Sequence, residues 1–204
     1  MISYGRQSID EDDIASVVDA LRGDWLTQGP SIERFEEAVA QYVGAKYAVA
    51  YSSGTSALHG AAAAAGLGPG DVVATSPLTF MASANAARFV GAKPMLVDIC
   101  RETWNIGMSA VPQDVRAVIP VHYAGLPVDL SHTKSNRQIV IEDAAHALGA
   151  LTPDGPVGNC ARSDMCCFSF HPVKPITTGE GGMVTTNDPD LAERLRQFRS
   201  HGIV

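Results

Sequence analysis

Ser169-Phe170-His171-Pro172-Val173-Lys174-Pro175-Ile176-Thr177-Thr178-Gly179-Glu180-Gly181-Gly182 sets a single lysine among proline and threonine residues, directly before a glycine-rich turn. A solvated lysine is rare in such surroundings, whereas a lysine that carries a cofactor as a Schiff base needs a packed, partly dry pocket that keeps its amine neutral. An ordinary lysine on a surface turn is the alternative. The segment alone leaves both open, because a short glycine-rich motif depends on its structural context.

Strand-like and helix-like segments alternate along the rest of the chain. The predicted strands span residues 47–51, 72–75, 94–97, 117–121, 139–141, 166–170 and 183–186. A first helix is predicted from the acidic residues 10–13 to Gly23, with an apolar stripe of Ile14, Val17, Val18 and Leu21, and further helices span residues 31–43, 57–65, 82–89 and 190–199. This alternation is typical of an α/β fold with a mainly parallel sheet covered by helices on both faces. Ligands of such sheets bind in the loops at the strand ends.

Composition argues against several classes of function. With 22 acidic against 15 basic residues, a formal net charge of −7 and no basic cluster, the chain lacks the charge pattern of a nucleic-acid-binding protein. Cys100, Cys160, Cys166 and Cys167 have no metal-binding spacing, so buried free thiols are favoured over a disulfide framework or a metal site. The acidic amino-terminal segment and the lack of an apolar run of roughly 18 residues indicate a cytoplasmic protein without a membrane span.

The segment Ser52-Ser53-Gly54-Thr55-Ser56-Ala57-Leu58 follows the predicted strand at 47–51 and begins an alanine-rich helix. Free N–H groups and the helix dipole at such a start favour a phosphate group. Ordinary N-capping by serine or threonine explains the same residues without any ligand. The segment is therefore a candidate phosphate site with an open alternative.

Two further strand ends carry candidate binding residues. Phe80 follows strand 72–75, where an aromatic face could lie on a flat heterocycle, and packing into the core is the alternative. Asp143 follows strand 139–141, where a carboxylate could keep a ring nitrogen protonated, and capping of the next turn is the alternative. A lysine, an acid after a strand, a hydroxyl-rich helix start and an aromatic edge are together the parts that a pyridoxal phosphate enzyme requires.

The chain resembles, over its whole length, the sugar aminotransferases of the DegT/DnrJ/EryC1/StrS family. The resemblance lies in segments that span residues 4–9, 25–30, 53–58, 142–150, 169–182 and 199–202. It implies the type I fold of aspartate aminotransferase and pyridoxal 5'-phosphate as the cofactor. Family members with a histidine in place of the lysine are dehydratases, but Lys174 stands five residues before Gly179, at the lysine position, which favours transamination. His171 is then a neighbour of the site or a loop residue.

The family resemblance also implies roles for individual residues. Lys174 would be the Schiff-base lysine, and Asp143 would be the partner of the pyridine nitrogen. The other cofactor contacts would be ring stacking by Phe80, a position near the phenolic side of the ring for His146, and phosphate binding by Gly54, Thr55 and Ser169. The residues that border the sugar nucleotide would be Tyr4, Leu26, Thr27 and Gln28.

Within the family, the lysine segment and the start Tyr4-Gly5-Arg6-Gln7 resemble those of a transaminase of pseudaminic acid biosynthesis. This resemblance implies transfer of an amino group from L-glutamate to C4 of a UDP-linked 4-keto-6-deoxy-N-acetylhexosamine. A different keto-sugar nucleotide is the alternative. The family further implies a homodimer with shared active sites.

Proteins of this family are longer than this chain. Residues 1–30 are interpreted as an amino-terminal arm with the first helix, and residues 31–204 as a pyridoxal-phosphate-binding large domain that is truncated at its carboxyl end and lacks the small domain. The stretches 106–115 and 129–139 are short for helices that cover a sheet, which predicts exposed apolar sheet surface. A catalytically incomplete domain of the same fold is therefore the second hypothesis.

Overall fold

The structure, a computed structural model, describes residues 6–131, 133 and 138–203. The α-helices within these ranges are α1 (Glu11–Arg22), α2 (Pro30–Val43), α3 (Gly54–Ala64), α4 (Ala82–Phe89) and α5 (Pro189–Arg199). The strands are β1 (Tyr47–Tyr51), β2 (Val72–Thr75), β3 (Lys93–Leu96), β4 (Ala117–Ile119), β5 (Ile139–Asp143), β6 (Leu151–Thr152), β7 (Gly155–Pro156), β8 (Met165–Ser169) and β9 (Gly182–Thr186). The predicted helices and strands are confirmed, with small differences at their ends.

Within the described part of the chain, seven strands form one sheet in the order β1-β9-β8-β5-β4-β2-β3. The pairs from β3 to β8 run parallel, and β9 is antiparallel to both of its neighbours. Because β1 and β8 then run in the same direction, the carboxyl ends of β1, β2, β4, β5 and β8 meet at one edge of the sheet. The prediction of a mainly parallel sheet is confirmed.

Local sequence signals determine where the first helices begin and end. Asp10 caps α1, because its side chain accepts hydrogen bonds from the backbone N–H groups of Asp12 and Asp13, each at 3.0 Å. Gly44 ends α2 in the left-handed conformation, with φ at 77°. The acidic residues before α1 and the glycine after α2 are therefore the sequence signals that determine where these helices begin and end.

One face of the sheet is covered by α3, α4 and α5. In this layer α3 contacts β8 and β9, α4 contacts β3, and α5 contacts β1. The core between helices and sheet contains many small side chains of α3 against larger strand residues; fully buried members include Ala57, Ala61, Val73, Ile119, Ile141 and Met165. The alanines allow α3 to lie close to the strands whose ends carry the candidate site.

Among the described residues, helices cover only part of the opposite face. There α2 packs over one part, where Val43 meets Phe168 and Met183 in a buried cluster. The other part is covered by non-helical segments, in a buried cluster of Ala74, Val97, Ile106, Val115, Val118, Val128, Leu130 and Val140. The expected exposure of apolar sheet surface is therefore wrong for the described residues, because loops exclude water where helices were missing.

The helix α1 is confirmed, but its apolar stripe is not buried. Ile14, Val17 and Leu21 are 47%, 60% and 65% exposed. Amphipathic spacing therefore predicted the helix correctly without indicating what packs on it within the described part of the chain. Among the described residues there is no helix of the length and apolar character that crossing a membrane requires.

All four cysteines are free, and the prediction that they are buried is confirmed for all of them except Cys100. Cys160, Cys166 and Cys167 are buried, and Cys100 is partly exposed. Burial raises the pKa of Cys160 to about 12 and raises the pKa values of Cys166 and Cys167 as well. These three groups therefore remain uncharged thiols in the core at neutral pH.

Candidate active site

The carboxyl ends of the parallel strands surround an open cavity of about 770 Å³. Its walls come from the segments that follow β1, β2, β4, β5 and β8. This is the edge at which open α/β sheets bind their ligands, and the volume lies within the usual range for small-molecule sites. The cavity is therefore the candidate active site.

The cavity brings together the cofactor residues that the sequence predicted. Those that line it are Gly54, Thr55, Phe80, Asp143, His146, Ser169 and Lys174. Of the predicted sugar-nucleotide residues that the structure describes, Leu26, Thr27 and Gln28 do not line the cavity, and Leu26 is 74% exposed. Tyr4 lies outside the described residues. The sugar-binding roles of these four residues remain predictions.

Lys174 lies on the connection between β8 and β9, with its side chain next to His146. The distance from Nζ of Lys174 to Nε2 of His146 is 2.6 Å. Partial burial lowers the pKa of Lys174. Burial and then the charge of Lys174 lower the pKa of His146, and Asp143 opposes both shifts. Both shifts are toward the neutral form, and the neutral form is the one in which a lysine amine attacks a carbonyl carbon.

Asp143 is the last residue of β5 and is 5% exposed. Its Oδ2 accepts a hydrogen bond from the hydroxyl of Ser83 at 2.6 Å, and its Oδ1 accepts one from the N–H of Ala145 at 3.2 Å. The contact with Ala145 is the turn capping that the sequence left as the alternative. Capping is present, and the carboxyl group also lines the cavity, so the two interpretations of Asp143 are compatible.

The start of α3 combines ordinary capping with access to the cavity. The hydroxyl of Ser53 accepts from the N–H of Ser56 at 3.1 Å, and the hydroxyl of Ser56 accepts from the N–H of Ser53 at 2.9 Å. Gly54 and Thr55, the first two residues of α3, line the cavity, and N–H groups of a first helical turn have no partner within the helix. A Cβ on Gly54 would lie 2.8 Å from Cβ of Ser169, so glycine permits the close approach of these segments.

Phe80 lies in the turn between β2 and α4 and is 77% exposed. Phe80 also lines the cavity. The alternative of packing into the core is therefore wrong. An exposed aromatic face at the wall of a cavity is available to stack on a flat heterocycle.

Several residues that line the cavity were not assigned from the sequence. His122 and Tyr123 follow β4, and Glu180 lies on the same connection as Lys174. The signal for His122 and Tyr123 was their place directly after a predicted strand, the same signal that identified Asp143. His171 also lines the cavity, which supports its interpretation as a neighbour of the site.

Glu142 precedes Asp143 on β5 and points to the other face of the sheet. Its Oε2 is 2.7 Å from Nε2 of His122, and the hydroxyl of Ser163 donates to its Oε1. The Nδ1 of His122 accepts the N–H of Val128 at 2.9 Å, so the ring proton is on Nε2 and faces the carboxylate. Both oxygens of Glu142 are thus used within the fold.

Two named relatives match nearly the whole chain. The UDP-4-amino-4,6-dideoxy-N-acetyl-beta-L-altrosamine transaminase of Campylobacter jejuni is 41% identical over 215 residues, which cover 100% of this chain and 56% of that protein. The UDP-4-amino-4-deoxy-L-arabinose–oxoglutarate aminotransferase of Shewanella sediminis is 38% identical, and the match covers 97% of this chain and 52% of that protein. The chain therefore spans about half the length of these relatives.

A solved structure has the same fold. It is a protein of Streptococcus pneumoniae assigned as a sugar aminotransferase, in its PLP form, with a TM-score of 0.89 and 30% identity. The match covers 96% of this chain and 57% of that one. It confirms the predicted fold class of pyridoxal-phosphate-dependent transferases.

The family model supports the same conclusion from the sequence side. The DegT/DnrJ/EryC1/StrS aminotransferase family matches residues 7–204, a range that includes every cavity segment. The predicted resemblance is confirmed over almost the whole chain. The chain therefore belongs to the DegT/DnrJ/EryC1/StrS aminotransferase family, whose cofactor is pyridoxal phosphate.

Proposed function

We propose that this chain forms the cofactor-binding part of an aminotransferase that transfers an amino group from L-glutamate to C4 of a UDP-linked 4-keto-6-deoxy-N-acetylhexosamine. The observation that carries the proposal is the single cavity that Lys174, His146 and Asp143 share at the sheet edge. The 41% identity to the altrosamine transaminase supports the sugar class. Residues 1–30 as an arm, residues 31–204 as the large domain, and assembly as a homodimer are parts of the same proposal.

Pyridoxal phosphate fits the residues that line the cavity. The helix start at Gly54 and Thr55, with Ser169 beside it, offers hydrogen-bond donors to a phosphate group. Phe80 offers an exposed ring to the face of the pyridine, and Asp143 offers a carboxylate to its nitrogen. When bound, the cofactor supplies an electron sink for the carbon that carries the amino group.

Lys174 is the proposed covalent partner of the cofactor and the group that moves the proton. Because partial burial lowers its pKa, a larger fraction of the amine is unprotonated near neutral pH than for a solvated lysine. An unprotonated Nζ can form the covalent link and, when released, can accept a proton from the substrate carbon and return it at a neighbouring atom. His146, at 2.6 Å, orients Nζ for both tasks.

A UDP-linked keto sugar of another kind is the second candidate substrate. The 38% identity to the UDP-4-amino-4-deoxy-L-arabinose–oxoglutarate aminotransferase of Shewanella sediminis favours this candidate, because the name of that enzyme gives a different UDP-linked aminosugar. Parallel assays with the keto forms of both sugars distinguish the two. Amination of the arabinose-type sugar alone would replace the first candidate and leave the cofactor site unchanged.

The test of the cofactor site is reduction with borohydride. The purified chain is mixed with pyridoxal phosphate, reduced and digested, and the labelled peptide is located by mass spectrometry. We expect the label on Lys174 and its loss in Lys174→Ala, whereas Lys93→Ala, a change on the edge strand β3, keeps it. An unlabelled chain, or a label that persists in Lys174→Ala, would reject the proposed site.

A second measurement separates the enzyme from a catalytically incomplete domain. The chain loaded with pyridoxal phosphate, without borohydride treatment, is mixed with L-glutamate, and release of 2-oxoglutarate is followed. Release supports the aminotransferase proposal for this chain. Cofactor binding at Lys174 without release would favour a domain that binds the cofactor but lacks parts needed for turnover.

A further inference from the structure

We propose that Ser83 and Thr79 are positioning residues for Asp143, and that a directed chain of two hydroxyl hydrogen bonds aims its carboxylate at the ring nitrogen of pyridoxal phosphate. The inference rests on the proposed cofactor site and adds two residues to it. Its basis is the contact of Ser83 with Oδ2 of Asp143, across 60 residues of sequence, and the contact of Thr79 with Ser83.

The chemistry of the three side chains fixes which group donates in each of the two hydrogen bonds. A carboxylate can only accept hydrogen bonds, so the hydroxyl of Ser83 donates to Oδ2 of Asp143 at 2.6 Å. A serine hydroxyl has one proton, so Thr79, whose Oγ1 is 2.6 Å from Oγ of Ser83, must donate to it. The other acceptor near Ser83 is the carbonyl of Phe80, which is farther away at 3.3 Å. Both 2.6 Å contacts have the length of strong O–H···O bonds.

Burial distinguishes these two hydrogen bonds from contacts on the protein surface. Ser83 is fully buried, at 0% exposed, and lies in the first turn of α4, whereas Thr79 lines the cavity. The N–H of Ala145 holds the other oxygen of Asp143 at 3.2 Å. The carboxylate is therefore held at both oxygens, and its orientation toward the cavity is fixed without a contact to the cofactor.

The turn between β2 and α4 then has two tasks at the same ring. Phe80, on the surface of this turn, lines the cavity, while Ser83 reaches Asp143 and Thr79 contacts Ser83. A carboxylate held in place beside a ring nitrogen favours the protonated form of the ring. One short segment thus couples ring stacking to ring protonation.

The test reads the ring nitrogen directly. Isotopically labelled pyridoxal phosphate is loaded on the full chain, and the NMR resonance of its ring nitrogen is recorded. In Ser83→Ala we expect the resonance to move at least half of the way from the wild-type position to that of Asp143→Ala. In Thr79→Val, which removes the first donor without changing the size of the side chain, we expect a smaller shift in the same direction.

Ser76→Ala is the matched control. Ser76 is also buried in this region, at 1% exposed, but its hydroxyl contacts the carbonyl of Leu78 at 3.2 Å rather than Asp143. We expect the wild-type resonance in this variant, and recovery of the wild-type resonance in Ser83→Thr. Such a pattern is not produced by a merely structural role, because loss of packing would affect Ser76→Ala and Ser83→Ala alike.

Two negative outcomes have different meanings. If the folded Ser83→Ala and Thr79→Val chains both keep the wild-type resonance of the ring nitrogen, the positioning role is overturned and the cofactor site is left intact. A wild-type chain that borohydride does not label at Lys174, with a ring nitrogen that keeps the resonance of free cofactor, would reject both proposals. Circular dichroism of each variant shows whether it has folded.

Discussion

Asp143 and Glu142 are neighbours on β5 and are nearly equally buried, at 5% and 6% exposed, but their carboxylates are used differently. Both oxygens of Glu142 form hydrogen bonds, one with His122 and the other with Ser163. Asp143 is held by Ser83 and Ala145 and still lines the cavity. Alternation of side chains along a strand separates the two environments. Burial alone therefore does not single out a candidate for the cofactor site; access of the carboxyl group to the cavity does.

The largest effect is expected from Asp143→Asn. The amide has the shape of the acid and can still accept from Ser83, but it carries no charge to hold a ring nitrogen protonated. We expect the rate of the reaction with L-glutamate to fall by about a thousandfold, the upper end for loss of one preorganised electrostatic partner. Stopped-flow absorbance of the cofactor-loaded chain measures it. Labelling of Lys174 should persist, and an unchanged rate would remove Asp143 from the proposed site.

The second prediction concerns Glu142 and the stability of the fold rather than the reaction. Glu142→Leu leaves the Nε2–H of His122 and the hydroxyl of Ser163 without their acceptor in a buried place. We expect the free energy of unfolding to fall by about 3 kcal/mol, the scale for buried donors left unsatisfied. Urea unfolding followed by circular dichroism measures it, with Asp143→Asn as the matched variant on the other face. Equal losses in the two variants would contradict the division of roles.

A smaller change sharpens the same division. Ser163→Ala removes one donor from Glu142 and leaves the contact with His122 in place. We expect a loss of about 1 kcal/mol in the free energy of unfolding, typical of one intramolecular hydrogen bond, with no change in borohydride labelling of Lys174. Thermal unfolding and mass spectrometry provide the two readings. A labelling defect at unchanged stability would connect Glu142 to the cofactor side.

The sequence located residues that line the cavity better than it located the residues that hold them in place. Short apolar runs predicted the strands, and the parallel order then brought Gly54, Asp143 and Ser169 to one edge, because each follows or ends a strand. Ser83 could not be connected to Asp143 in this way, since the two are 60 residues apart and a serine after a helix start has many local partners.

The sequence patterns also did not predict which segments cover the sheet. Val128 and Leu130 lie in segments without helical spacing, but they bury Val118 and Val140 as a helix would. Conversely, α1 has helical spacing and an exposed stripe. Periodicity reports local conformation, whereas burial depends on neighbours that are distant in the sequence.

The smallest expected effect concerns how pH acts on the cavity side, where Lys174 has a pKa below its ordinary value of 10.5 because partial burial disfavours the charged amine. The folded state therefore binds this proton less tightly than the unfolded state, and the protonated lysine costs stability below its folded pKa. That cost is relieved as the pH rises through the interval up to 10.5. We expect the cofactor-free Lys174→Met chain to be slightly more stable than wild type at neutral pH, with a gap that narrows toward high pH.

Thermal unfolding across this interval measures the gap between the two chains. Working above neutral pH avoids His146, whose pKa is lowered from an ordinary value of 6.5 and which therefore titrates at acid pH. Lys93→Met, on the edge strand β3, controls for the removal of one positive charge from a chain with a net charge of −7. A gap that widens with pH would mean that the folded state favours the charged amine, and Lys174 would then lack the neutral nitrogen that its proposed role needs.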